Sequence, residues 1–210
     1  QGVDTGAGLP VVDAGGSGDA ITLSANGCTL QGFLARNSGS NSMGIRLTSS
    51  GNTISGNTAT NNTYGIALLS PSTSNTISDN TATNNTYGIF LSVATGNTIS
   101  DNTITDSSSY GIYISSSSNN TISGNTVNDN RIGIALYSSS TGNTISGNTA
   151  NGNTNYGIYL STSSTGNTIS GNTANGNAQA GIYISSSSIG NIISGNTANG
   201  NTYYGIILSP

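Results

Sequence analysis

One block of residues returns along almost the whole chain. Asn-Thr-Ile-Ser, then Gly or Asp, then Asn-Thr, recurs from Asn52 to Thr197. Between its copies stands a Gly-Ile block. Its isoleucines are Ile45, Ile66, Ile89, Ile112, Ile134, Ile158, Ile182 and Ile206, with Ile21 as an earlier, degenerate copy. Their spacing stays between 21 and 24 residues. A period this short and this regular means stacked units that each touch only their neighbours. The chain is therefore expected to be a β-solenoid of about nine coils. It forms one domain over residues 1–210, with 1–20 a degenerate first coil and 21–210 the regular repeats.

A single coil shows how the backbone turns. Asn52-Thr53-Ile54-Ser55-Gly56 alternates polar and apolar residues, as a half-buried strand does. Asn57-Thr58-Ala59-Thr60-Asn61 repeats the alternation with a small inward residue, and Tyr64-Gly65-Ile66-Ala67-Leu68 is a third such stretch. No segment has helical spacing. The fold class is all-β: three short strands per coil, each pairing in parallel with its counterpart one period later. Adjacent strands lie about 4.8 Å apart, so nine coils give a rod roughly 40 Å long.

The inward positions then form columns. One is Ile54, Ile77, Ile99, Ile122, Ile145, Ile169 and Ile193; another is Ala59, Ala82, Ile104, Val127, Ala150, Ala174 and Ala198. Asparagines stack likewise at the corners: Asn57, Asn80, Asn102, Asn125, Asn148, Asn172 and Asn196 share one. Stacked amides hydrogen-bond along such an axis and asparagine suits turns, so this ladder is read as structural.

Composition narrows the function. The chain has seven Asp, three Arg, and no Lys, Glu, His or Trp, for a net charge of −4. Without a basic face, nucleic acid is not an expected partner. No apolar run is long enough for a membrane span. Cys28 is the single cysteine, falls at the repeat position of Asn52, and reads as a small buried residue. A thiol nucleophile would need a base, and there is no histidine. The start at Gln1 suggests a mature form from which a targeting segment has been removed. Asn61, Asn84 and Asn119 head Asn-x-Thr sequons, which points to an exported, glycosylated chain.

Four acids stack in pairs. Asp79 and Asp101 share one repeat position; Asp106 and Asp129 share another. They are candidates for calcium or for a hydrolase carboxylate pair. Calcium takes six to eight oxygens, and these pairs supply few, so turn residues standing in for Gly or Asn are the expected reading. Arg36, Arg46 and Arg131 occupy unrelated repeat positions and suggest no cluster. No cofactor or metal is called for.

Two outward surfaces stand out. Thr58, Thr81, Thr103, Thr126, Thr149, Thr173 and Thr197 form an uncharged column. Such an array resembles the ice-binding face of solenoid antifreeze proteins, although threonine is also simply a good strand residue. Phe90, Tyr113, Tyr159 and Tyr183 form an aromatic stripe fit to contact protein or sugar rings. The tyrosines before the glycines, Tyr64, Tyr87, Tyr110, Tyr156 and Tyr204, are expected to fold into a corner of the core.

Leu9-Pro-Val-Val-Asp-Ala-Gly-Gly-Ser-Gly-Asp-Ala-Ile-Thr-Leu-Ser24, Thr29-Leu-Gln-Gly-Phe33 and the paired Tyr-Gly-Ile-x-Leu and Asn-Thr-Ile-Ser-x-Asn blocks together resemble the NosD-like parallel β-helix repeat proteins of archaeal and bacterial surfaces. The resemblance implies a right-handed parallel β-helix outside the cytoplasm. It does not imply one function.

The ends lead to the main expectation. Gln1-Gly2-Val3 and Pro210 both fall inside a repeat, and no capping helix is apparent. Uncapped coils stacked head to tail make a non-closing contact, which generates filaments. The chain is thus expected to be a secreted or cell-surface structural protein, non-enzymatic, with copies of itself as partners. The alternative is a binding module for ice through the Thr column or for glycan through the Tyr stripe. A carbohydrate-active enzyme ranks third.

Overall fold

The computed structural model describes residues 8–185 and 187–209. Gln1–Val3, Asp4 and Pro210 lie outside the described residues. Among those described, every named strand pairs in parallel with its counterpart in the next coil, so the chain winds as one parallel β-helix with three sheets. Sheet one has eight strands, from Thr29–Gln31 through Thr53–Ser55 to Ile192–Ser194. Sheet two has six, from Val11–Asp13 to Thr126–Asn128. Sheet three has nine, from Ile21–Leu23 to Tyr204–Leu208, and carries the Gly-Ile blocks. Registers follow the repeat: Ile54 pairs with Ile77, Ala59 with Ala82, and Ile66 with Ile89.

The core is a narrow column of side chains. Ile54, Ile77, Ile99, Ile122, Ile145 and Ile169 are completely buried, as are Ile66, Ile89, Ile112, Ile134, Ile158 and Ile182. Each such side chain contributes roughly 1.5–3 kcal/mol from burial. One continuous cluster runs from Ala35 to Ile184. In the last coil the same positions are open: Ile206 is 45% and Leu208 64% exposed.

The corners are held by asparagine ladders. Asn125 is 1% exposed. Its Oδ1 accepts the backbone N–H and the side-chain amide of Asn102. Its own Nδ2 donates to the Ile99 carbonyl and to Asn148 Oδ1. One amide thus ties three coils together and satisfies groups that are costly to bury unpaired. Asn80, Asn102 and Asn148 repeat the pattern, and the ladder runs from Asn57 to Asn196.

Sheet two thins towards the C-terminus for a chemical reason. After Thr126–Asn128 its strands give way to isolated bridges, Thr126 to Thr149 to Thr173 to Thr197. The outward threonine of earlier coils has there become Asn128, Asn151 and Asn175. Each of these amide oxygens accepts the backbone N–H of its counterpart in the next coil, at 2.9, 2.7 and 2.6 Å. A side chain takes the place of the ladder carbonyl, and the strand pattern shortens although the coil is unchanged.

Candidate functional site

Sheet three carries a continuous aromatic ribbon on its outer surface. Its first part is a double row. Tyr64 stacks on Tyr87 with ring centres 4.8 Å apart, and Tyr87 stacks on Tyr110 at 5.7 Å. Alongside, Phe90 stacks on Tyr113 at 5.4 Å with planes 12° apart. The rows also touch each other, Tyr64 with Phe90 at 5.0 Å and Tyr110 with Tyr113 at 4.6 Å. Farther along, Tyr159 stacks on Tyr183 at 5.2 Å, and Tyr156 leans on Tyr159 at 5.0 Å. Near-parallel rings separated by one strand spacing are offset, not eclipsed. All of these rings are half-buried, so the ribbon presents shingled edges and hydroxyls to solvent.

The expected contact residues Phe90, Tyr113, Tyr159 and Tyr183 are therefore on one surface. The expectation for the tyrosines before glycine is corrected. Tyr64, Tyr87, Tyr110 and Tyr156 do not fold into the core; they join the outer row. Strand alternation breaks at the glycine, because Gly88 and Ile89 are both buried in sequence. A Cβ on Gly88 would lie 2.6 Å from the Gly111 carbonyl oxygen, so only glycine lets the backbone turn inward there. That turn swings the preceding tyrosine outward. Tyr204 is 54% exposed and stands apart, since Ala180 separates it from Tyr156 in register.

One ribbon member escaped the sequence reading. The coil between Tyr113 and Tyr159 offers Ile132 and Ala135 where its neighbours offer aromatics. Tyr137, at the end of that strand, reaches across instead. It makes edge contacts with Tyr113 at 5.5 Å and with Tyr159 at 5.3 Å. The signal was available: Tyr137 has the same outward parity as Ala135 and lies in the one gap of the stripe. Burial first, then the neighbouring Tyr110, pushes the Tyr137 phenol far above its ordinary range. Burial also raises Tyr64, Tyr113 and Tyr156. These four hydroxyls are thus neutral donors and acceptors well past neutral pH.

The charged groups lie around this surface. Arg46 holds the place of Ala67 one coil earlier, at the head of the ribbon, and its Nη1 donates to Asp19 Oδ2 at 3.2 Å. Asp19 Oδ1 accepts the Met43 N–H. One coil-face away, Arg36 Nε donates to Asp13 Oδ2 at 2.8 Å. The N–H of Gly15 first, then Asn37 and Arg36, lowers the Asp13 carboxyl. The arginines that looked scattered in sequence are therefore two Asp–Arg pairs on the first coils, joined across separations of 23 and 27 residues. Arg131 is exposed in the turn just before the strand Ile132–Tyr137.

The stacked acids sit at corners and are turn residues. Asp79 and Asp101 have φ of 57°, in a row with Gly56 and Gly124 at 61° and 66°. Asp106 and Asp129 share a second left-handed row with Asn61 and Asn84. Asn119 belongs to a third, with Gly142. Asp and Asn tolerate this conformation better than most residues. All three sequon asparagines are exposed there. Among the described residues, no three acid, histidine or cysteine groups come together as a metal cluster. Cys28 lies at the head of the first asparagine ladder, its N–H donating to Asn52 Oδ1 at 2.8 Å, and is half-buried rather than buried.

The threonine column is in register throughout: Thr58, Thr81, Thr103 and Thr126 through strands, then Thr149, Thr173 and Thr197 through bridges. It lies on sheet two, away from the ribbon. Among the described residues no helix is long and apolar enough to cross a membrane.

Comparison with known families and structures bears on this architecture. A family profile described as right-handed β-helix region matches residues 12–174 and 71–209. The chain belongs to the right-handed β-helix family. No curated protein matches its sequence. Solved β-helix structures share its fold. The periplasmic alginate epimerase AlgG is 20% identical with a TM-score of 0.67, over 80% of this chain and 43% of that one. The Dettilon tailspike protein is 20% identical with a TM-score of 0.69, over 88% and 42%. The mannuronan C-5 epimerase AlgE4 A-module of Azotobacter vinelandii is 15% identical with a TM-score of 0.56, over 89% and 58%. The chain thus spans about half the length of these β-helix proteins. They correct one expectation. The non-enzymatic reading rested on acids taken as turn residues and on scattered arginines, yet epimerases are built on this same fold.

Proposed function

We propose that the protein is a carbohydrate-active β-helix that acts outside the cytoplasm and engages a polysaccharide along sheet three. The observation that carries this reading is the unbroken ribbon of nine aromatic side chains from Tyr64 to Tyr183. Aromatic surface with neutral hydroxyls at its rim suits sugar, which offers C–H faces and hydroxyls together. The likeness to a periplasmic epimerase and to tailspike proteins supports a carbohydrate ligand in general and the compartment. The NosD-like resemblance and the exposed sequons at Asn61, Asn84 and Asn119 agree with export.

This reading takes precedence over the end-to-end filament, which rested on the chain ends alone. It also stands ahead of ice binding through Thr58 and its column. The companion column on that face turns from threonine to asparagine at Asn128, and those amides are engaged by backbone N–H groups.

The test is titration against a polysaccharide panel, with product analysis for turnover. Tyr113→Ala and Tyr159→Ala each remove a ring from the middle of the ribbon. Each is expected to weaken binding about tenfold, the scale of one good aromatic contact. Full-strength binding by both variants, with an intact fold, rejects the ribbon as the site. Turnover by the wild type would place chemistry beside the ribbon, where Asp106, Asp129 and Arg131 are the charged groups of the flanking turn.

A further inference from the structure

The electrostatics of the ribbon point to a ligand class different from the one named by the neighbours. Alginate and mannuronan are polyuronates, one negative charge per sugar. A site for such a chain needs cations repeated along its length. Here the ribbon positions from Tyr64 to Tyr183 are aromatic, aliphatic or serine, with no charge among them. Of the three arginines, Arg36 and Arg46 are each held by a carboxylate, at 2.8 and 3.2 Å. Arg131 lies in the turn row beside sheet three, which also carries Asp106 and Asp129. The local balance is one positive against two negative charges, on a chain of net charge −4. A polyuronate laid along this face meets repulsion, not complementarity.

A second observation concerns direction and spacing. Each coil contributes one or two rings, and coils repeat at about 4.8 Å. That repeat is close to the rise of an extended, equatorially linked pyranose chain, so successive sugars, each turned over relative to the last, can keep step with successive coils. The phenols are neutral donors and acceptors, which matches the hydroxyls of a neutral sugar and supplies no positive charge for a carboxylate.

We infer that the ligand of sheet three is a neutral, extended polysaccharide lying parallel to the helix axis. This rests on the carbohydrate reading above, and the test separates the two. The whole chain is run through native gels containing hydroxyethyl cellulose, galactomannan or alginate, at low and at high salt. Wild type and the Tyr113→Ala/Tyr159→Ala double variant are compared. Thr81→Ala, a change on sheet two, serves as the control.

The expected result is retardation in a neutral gel, none in alginate, and no dependence on salt. The double variant loses retardation by at least about tenfold in apparent affinity. Thr81→Ala keeps it. Retardation in alginate that exceeds the neutral gels and disappears in the double variant overturns the charge inference and leaves the ribbon as a sugar site. Retardation in neutral gels that is indifferent to the tyrosines overturns the assignment to sheet three. Free migration in every gel overturns the carbohydrate reading itself.

Discussion

Ser107 is the residue at which the repeat fails to satisfy itself. The third corner carries a buried ladder, Asn62, Asn85, Asn130, Asn153 and Asn177, with Ser107 between Asn85 and Asn130. Asn130 Oδ1 still accepts the Ser107 N–H at 2.9 Å. The serine hydroxyl is too short to reach back, and its Oγ is buried without a partner. Asn62 N–H finds Asn85 Oδ1 at 2.9 Å, but Asn85 has no amide oxygen ahead of it. Restoring the missing amide with Ser107→Asn should therefore stabilise the chain by about 1 kcal/mol, the usual net worth of a completed buried hydrogen bond. Thermal or denaturant unfolding checks it; a lower midpoint would mean that the corner cannot hold the longer side chain. The converse change, Asn125→Ala, strands the Asn102 N–H and the Ile99 carbonyl in the core and should cost about 1–3 kcal/mol for each group.

At the scale of the element, sheet three shows what its sequence disclosed and what it hid. The outward parity of Phe90, Tyr113, Tyr159 and Tyr183 follows from strand alternation, and the structure keeps it. The role of Tyr64, Tyr87 and Tyr110 was hidden, because alternation assumes an even strand and the buried glycine breaks it. The Asp13–Arg36 and Asp19–Arg46 pairs were hidden for another reason. Asp13 and Arg36 are register partners, but the first coil is degenerate and its positions could not be aligned to the columns. Asp19 and Arg46 join different repeat positions, which a column-by-column reading does not pair. The strand-level chemistry of the ribbon has a pH signature. Burial raises the phenols of Tyr64, Tyr113, Tyr137 and Tyr156 above their ordinary 10.0. In the unfolded chain these groups ionise near pH 10. Their folded-state values are raised, so their contribution to stability is fully present below about pH 10 and is lost as pH rises through the raised values. The melting temperature should fall on the alkaline side of pH 10, and Tyr137→Phe should make that fall shallower. Phenolate absorbance that develops for all tyrosines together near pH 10 in the folded protein would contradict the burial.

For the whole molecule, the repeat converts a weak local contact into a long one. The ribbon crosses six coils, those of Tyr64, Tyr87, Tyr110, Tyr137, Tyr156 and Tyr183. At about 4.8 Å per coil that is roughly 24 Å of contiguous surface. No single ring is deeply pocketed, so one sugar gains little and binding energy has to accumulate along the axis. Rigid coils favour this, because the rings are already in place and the chain orders few side chains on binding. Affinity should therefore climb with oligosaccharide length and level off near six sugars, one per coil. The plateau belongs to the molecule rather than to any residue, and substitutions report on it differently. Tyr113→Ala or Tyr137→Ala interrupts the middle and should lower the plateau to that of a half-length ribbon. Tyr183→Ala removes only the last step and should shorten the optimum by about one sugar. Calorimetry with a ladder of neutral oligosaccharides measures both effects. A length optimum of two or three sugars, unchanged by Tyr183→Ala, would instead assign the binding to a single compact subsite and end the account of the solenoid as a ruler.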